Sequence, residues 1–126
     1  MAGKYNLKQE TITHLLNRYG SDISDIIELI EDDRKLAAPI SRHLAYLKAE
    51  IVYAVTAEGA QSVSDVLERR TRIWFEAPNF GIDLAPSTAD LIAPYLGWKA
   101  AQKKASVAQY QALVDAAKES AAKLLN

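Results

Sequence analysis

Glu50, Glu58 and Arg70 are the residues whose type and placement raise a question of chemistry. They fall in the stretch from Tyr46 to Phe75. A segment from about Leu44 to Glu58 carries Glu50 and Glu58 beside an apolar stripe. A second, from Ser62 to about Phe75, carries Arg70 among Val63, Val66, Leu67, Ile73 and Trp74. A charge facing a core costs stability unless opposite charge and hydrogen bonds answer it. A guanidinium fork fits a carboxylate, so the pattern predicts a structural clamp of Glu50, Glu58 and Arg70 across an antiparallel helix pair.

The run Arg69-Arg70-Thr71-Arg72 admits a second chemistry, the binding of a phosphate or an acidic group. The helical wheel tempers that reading. Arg69 and Arg72 fall on the face opposite Arg70, with Asp65, Glu68 and Glu76. Asp65–Arg69 and Glu68–Arg72 are i,i+4 pairs with the acid first, each contributing a few tenths of a kcal/mol, about 0.3. Arg69 and Arg72 are therefore expected in solvent. With Trp74 and Trp98 they form a candidate interdomain surface, because exposed aromatics and arginines mark interfaces. The plainer role for the two tryptophans is core.

Other chemistries find little support. The glycines stand singly as helix stops and turns, so no phosphate-cradling loop and no dinucleotide site is expected. His14 and His43 lie apart, with no acidic residue at a metal-ligand spacing, and read as surface or partly buried structural residues. No strained nucleophile turn accompanies a Ser-His-Asp set. Catalytic, cofactor-binding and metal residues are thus expected to be none.

The bulk composition agrees. The 126 residues suffice for one domain with a real core, and 49% hydrophobic with 25% charged is ordinary for a globular chain. A net charge of −1 gives no general pull toward nucleic acid. The chain has no cysteine, which removes disulfides and thiolate chemistry and fits a cytoplasmic setting. No apolar run approaches the roughly 20 residues needed to cross a bilayer. Lys99, Lys103 and Lys104 give the last helix a basic side, expected to be a solvated face. Met1 to Lys4 reads either as a native start or as an appended tag; if a tag, the chain is a piece of something larger.

The elements that would position these residues follow from helical periodicity. A helix from Leu7 to Tyr19 has Asn6 as cap and Gln9 as its reciprocal partner, with Ile12, Leu15, Leu16 and Tyr19 on one face. Gly20 ends it, and Ser21 or Asp22 opens a second helix to about Asp32. Asp33 to Ser41 is a loop around Pro39. The organising pair follows, the first helix stopping at Gly59 and the second capped by Ser62 with Asp65 in the reciprocal position. Ala77 to Leu84 is a loop. A fifth helix runs from Pro86 toward Leu96, with a bend or break expected near Asp90 to Pro94, because a mid-helix proline costs about 3 kcal/mol. Lys99 to about Leu125 is a long final helix with Val107, Tyr110, Leu113, Val114, Ala117, Ala121 and Leu124 as its seam. The expected fold is an all-α, single-domain bundle of five or six helices over residues 1–126.

Four stretches in order then carry a resemblance. They are His14-Leu15-Leu16-Asn17-Arg18-Tyr19-Gly20-Ser21; Tyr46-Leu47-Lys48-Ala49-Glu50-Ile51-Val52-Tyr53-Ala54-Val55 with Glu58; Asp65-Val66-Leu67-Glu68-Arg69-Arg70-Thr71-Arg72; and Leu96-Gly97-Trp98. Together they resemble the C-terminal helical domain of the aerobic, FAD-dependent glycerol-3-phosphate dehydrogenases, in the actinobacterial form. The likeness runs over roughly residues 7 to 115, and the glutamate-bearing helix followed by Asp-x-Leu-x-Arg-Arg-Thr-Arg is its most specific part.

The resemblance implies a parent oxidoreductase of glycerol metabolism, which converts sn-glycerol 3-phosphate to dihydroxyacetone phosphate. Hydride passes to FAD and electrons then go to membrane quinone. The FAD and substrate sites of such enzymes lie in preceding domains, and this chain has no FAD motif. The resemblance therefore carries over no catalytic or cofactor-binding residue. It implies a cap packed on the FAD and substrate domains, or a homodimer contact, with at most peripheral membrane contact on the inner face of the cell membrane and no nucleic acid partner. Alone, the chain is expected to bind no flavin and to be inactive. The alternative is a free-standing helical module that holds an acidic or phosphorylated partner on its arginines. The reading frame upstream of Lys4 distinguishes the two.

Overall fold

The computed structural model describes residues 8–42 and 44–125. The Asn6 cap, the helix start at Leu7 and the role of His43 lie outside the described residues. Among the described residues six α-helices span Gln9–Tyr19 (α1), Ile23–Asp32 (α2), Lys48–Thr56 (α3), Ile73–Glu76 (α4), Ala85–Leu96 (α5) and Ala100–Leu125 (α6). A π-helical segment, Asp65–Arg70, precedes α4. Among the described residues the fold is all-α, and its one β feature is an isolated bridge between Pro39 and Leu47.

The bundle is arranged around α3. Six successive residues, Ala49, Glu50, Ile51, Val52, Tyr53 and Ala54, are all buried. A helix buried on every side must be surrounded, and α3 lies between two apolar clusters. Ile12, Leu15, Ile26 and Ile30 of α1 and α2 and Leu36 of the 3-10 turn Arg34–Ala37 pack against it, with Ala49 and Val52. Val63, Val66, Leu67, Ile73, Ala89, Ile92, Tyr110 and Val114 pack on Ile51 and Ala54 from the other side. The polar residue in this run, Glu50, is as buried as its neighbours, at 0% exposure.

The expected helix from Leu44 begins later, at Lys48. The chain before it is extended and closes on residues 38–40 through Ile40 N–H to Tyr46 O at 2.9 Å and Lys48 N–H to Ala38 O at 2.9 Å. Glu50 sets the start, its Oε2 accepting the Leu47 N–H at 2.6 Å. A carboxylate there satisfies one of the donors every helix start leaves free. This holds Tyr46 and Leu47 in place as buried side chains.

The expected single helix from Ser62 to Phe75 divides. Ser62 caps it as read, its Oγ accepting the Asp65 N–H at 3.0 Å, while Asp65 accepts from Gln61 N–H at 2.9 Å, one residue earlier than the Ser62 amide a capping box would use. The turn then widens. Thr71 N–H bonds to Val66 O at 3.0 Å, an i→i−5 bond, and Thr71 takes extended angles of φ −128 and ψ 174 before α4 starts.

Pro94 does not break α5, which runs on to Leu96. Both Pro94 and Asp90, whose carbonyl loses its helical donor, are exposed, so the cost falls where water can replace the bond. The loop expected from Ala77 contains a 3-10 segment, Pro78–Leu84, with Asn79, Phe80 and Gly81 at positive φ. Tyr110 of α6 donates to the Phe80 carbonyl and fastens this segment to the core.

Candidate functional site

The polar centre of the molecule is Glu50. Its Oε1 lies 2.9 Å from His14 Nε2 and accepts the Tyr19 hydroxyl at 3.0 Å, and its Oε2 holds the Leu47 amide. His14 and Tyr19 both come from α1, five positions apart, so α1 presents two donors to one buried carboxylate on α3. With the Nε2–H tautomer or the imidazolium, His14 donates, and the carboxylate then has three donors. That is the condition for a buried acidic group to be tolerated.

An outer layer of aromatic and basic groups surrounds this centre. Arg18 Nε donates to Tyr19 Oη at 3.0 Å, and an Arg18 terminal nitrogen donates to the Arg70 backbone carbonyl. The Arg18 guanidinium also lies 5.9 Å from the Tyr46 ring centre. Tyr46 meets the His14 ring edge-on at 5.0 Å, and its hydroxyl accepts the Arg72 N–H at 3.0 Å. Tyr19 meets Tyr53 in the same edge-on manner at 5.5 Å. Burial pushes the Tyr19 phenol well above its usual range, and the Glu50 charge beside it adds to this. Burial also raises Tyr46 and Tyr53. The phenols are thus kept neutral, and Tyr19 stays a donor to Glu50.

The expected clamp is corrected on one member. Arg70 is exposed and makes no ion pair with Glu50 or Glu58. The reason is the wide turn. In an α-helix Arg70 stands beneath Val66 and Leu67 on the core side, but the i→i−5 bond moves that place one residue on, to Thr71. Thr71 is buried at 4%, and its hydroxyl donates back to Val66 O at 2.9 Å. Arg70 turns outward and contributes only its carbonyl. The arginine that serves the glutamate site is Arg18, through Tyr19. Glu58 is partly buried, with Oε1 sealed and unbonded among the described residues. Burial works against the Arg18 charge, but the Tyr19 hydrogen bond, with Tyr46 and Glu58 nearby, outweighs it and raises the Arg18 pKa above its usual value.

The wide turn also dissolves the i,i+4 pairs expected on the outer face. Asp65 caps instead of meeting Arg69, and Arg72 pairs with Glu76 at 3.7 Å rather than Glu68. Arg69 and Arg72 are exposed, as the wheel had them. Trp74 and Trp98 are half-buried against the core, Trp74 lying 4.6 Å from the Phe80 ring and 5.8 Å from Tyr110. The exposed aromatic of this stretch is Phe75.

His14, Arg18, Tyr19 and Tyr46 are the site residues that sequence reasoning missed as a group. A signal existed. His14 and Arg18 are four apart on α1, beside the apolar Leu15 and Tyr19, which puts a row of donors along the edge of a core-facing stripe. The arrangement can hold a buried carboxylate and tie α1, α3 and the wide turn together. With Glu50 fully covered, it offers no carboxylate oxygen to a substrate. Among the described residues no cluster of His, Cys, Asp or Glu could hold a metal ion, and no helix is long and apolar enough to cross a membrane.

Comparison with known proteins places this geometry in context. The profile of a family described as the C-terminal domain of alpha-glycerophosphate oxidase matches residues 1–103. Glycerol-3-phosphate dehydrogenase 2 of Mycobacterium tuberculosis is 47% identical over 105 residues, covering 83% of this chain and 18% of the relative. Glycerol-3-phosphate dehydrogenase of Mycobacterium leprae is 42% identical over 116 residues, covering 92% of this chain and 20% of the relative. The Synechocystis protein of the same name is 29% identical over 105 residues, 83% of this chain and 19% of its own. The chain thus spans about a fifth of the length of these relatives. No solved structure matches it. Nothing in these matches supports a free-standing interaction module.

Proposed function

The chain belongs to the family of the C-terminal domain of alpha-glycerophosphate oxidase, and from that membership we propose that it is the non-catalytic helical domain of a flavin-dependent glycerol-3-phosphate dehydrogenase. The parent would oxidise glycerol 3-phosphate to dihydroxyacetone phosphate on FAD held in preceding domains. This chain would cap those domains. The observation that carries the reading is the match over residues 1–103 combined with a polar centre sealed from solvent. Glu50, the group best placed to act as an acid or base, is spent on three structural donors. The same reading puts the protein in the cytoplasm or peripherally at the inner membrane face.

A chimera tests this reading. The chain replaces the matching C-terminal segment of the Mycobacterium tuberculosis relative, and flavin content and glycerol-3-phosphate oxidation are measured. The expected outcome is bound flavin and turnover in the chimera, and neither in the 126-residue chain alone. A chimera without flavin or turnover, while the chain alone remains folded, would overturn the reading.

A further inference from the structure

We propose that the outward face built by Arg18, Arg70, Arg72 and Phe75 is where the rest of the parent chain docks, through an acidic surface with an apolar spot. The proposal rests on the functional reading above and adds the location and chemistry of the contact. Phe75 is 69% exposed, with the Arg72 guanidinium over its ring at 5.6 Å. An aromatic under an arginine in solvent gains little by itself, yet this pairing is what the energetic centre of an interface is built from. The Arg72 backbone N–H is held by the Tyr46 hydroxyl, which fixes the main chain that carries the guanidinium. The Arg18 guanidinium is held against the Arg70 carbonyl, and that of Arg72 lies between Glu76 and the Phe75 ring, so these two groups are pre-placed and lose less freedom on binding. The wide turn turns Arg70 outward, and π turns of this kind recur at functional sites.

The occupant follows from charge and length. Three arginines, Arg18, Arg70 and Arg72, stand against two nearby carboxylates, Glu76 paired with Arg72 and Glu58 near Arg18, so the patch keeps a basic excess and calls for an acidic partner. A second copy in two-fold pairing would set arginine against arginine. Glu76, paired with Arg72 at 3.7 Å, suits a protein surface of mixed sign better than an anionic bilayer. Four-fifths of each matched relative lies outside the segment this chain represents, and the patch falls inside the family-matched span.

The test is hydroxyl-radical footprinting of Phe75 in the 126-residue chain and in the active chimera. Burial in a packed interface should slow Phe75 labelling about tenfold or more in the chimera. Arg70→Glu with Arg72→Glu should restore labelling there while leaving the melting temperature of the isolated chain unchanged. Equal labelling of Phe75 in an active chimera would overturn the docking face and leave the functional reading standing. An inactive, flavin-free chimera would overturn that reading and this proposal with it. Sedimentation of the isolated chain with phosphatidylglycerol vesicles, abolished by the same double substitution, combined with unprotected Phe75 in the chimera, would assign the face to lipid instead.

Discussion

His14 on α1 and Glu50 on α3, 36 residues apart in the chain, meet with Nε2 2.9 Å from Oε1. Tyr19 donates to the same oxygen, and Leu47 N–H holds the other. One carboxylate therefore joins a peripheral helix to the central one and sets where the central one begins. Its burial is a liability made safe by three donors from two parts of the chain.

Removing that carboxylate should be costly. Glu50→Ala leaves a histidine, a phenol and a backbone amide without their acceptor, and a loss of roughly 3 kcal/mol is expected. Glu50→Gln retains one acceptor oxygen and should cost about half as much. Urea unfolding followed by circular dichroism measures both. A Glu50→Ala protein as stable as the wild type would show that the three donors find water instead.

Arg70 and Arg18 should respond in opposite ways to the expectation from the helical wheel. Arg70→Leu removes an exposed guanidinium, and its effect should stay within about 0.5 kcal/mol. Arg18→Leu removes the donor to the Arg70 carbonyl and to Tyr19, and should cost about 1 kcal/mol, moderated by its exposure. The ordering of the two midpoints in one urea series is the check.

Gly81 occupies a position that excludes other residues. Its φ is +72, and a Cβ built there would lie 2.8 Å from the Ile73 Cγ2 methyl, a branched and buried neighbour. Gly81→Ala is expected to lower stability by about 2 kcal/mol through combined strain and crowding. Thermal unfolding would register this as a drop in Tm, and an unchanged Tm would mean that Ile73 moves aside freely.

The buried phenols predict a fall in stability at alkaline pH. Tyr19, Tyr46 and Tyr110 are all raised above the usual value of 10.0, with burial the leading cause. Above pH 10 the unfolded chain releases these protons while the folded chain keeps them, so unfolding is increasingly favoured as pH rises. Below pH 10 the three contribute no slope. Tyr19→Phe should flatten the alkaline limb by about one proton, measured as the change in unfolding free energy between pH 9 and pH 11.

Much of the bundle was legible because helical periodicity is local. The apolar face of α2, Ile12 and Leu15 on α1, Tyr110 and Val114 on α6, the stop at Gly20, the Ser62 cap and the pairing of two segments around Tyr46 to Phe75 could all be read from spacing. Leu16, Leu113 and Leu124, expected on the same faces, are instead exposed, because among the described residues no neighbouring element covers that side of α1 or α6. The arginine clamp could not. A helical wheel assumes uniform winding, and the widened turn at Asp65–Arg70 shifts the core place from Arg70 to Thr71. The late start of α3 was hidden for a related reason, since Leu44 to Leu47 has an acceptable helical pattern and is held extended by contacts with residues 38–40.

The sequence by itself determined the class of fold, the family and the presence of a buried acid in need of partners. These depend on periodicity, on ordered residue strings and on the cost of burying charge, none of which requires coordinates. The tertiary structure alone decided who the partners are. His14, Arg18 and Tyr19 reach the glutamate site only because α1 packs along α3, and Arg70 misses it only because one turn is a residue too wide. Hydrogen bonds act over about 3 Å, so a single residue of winding decides which side chain can make them.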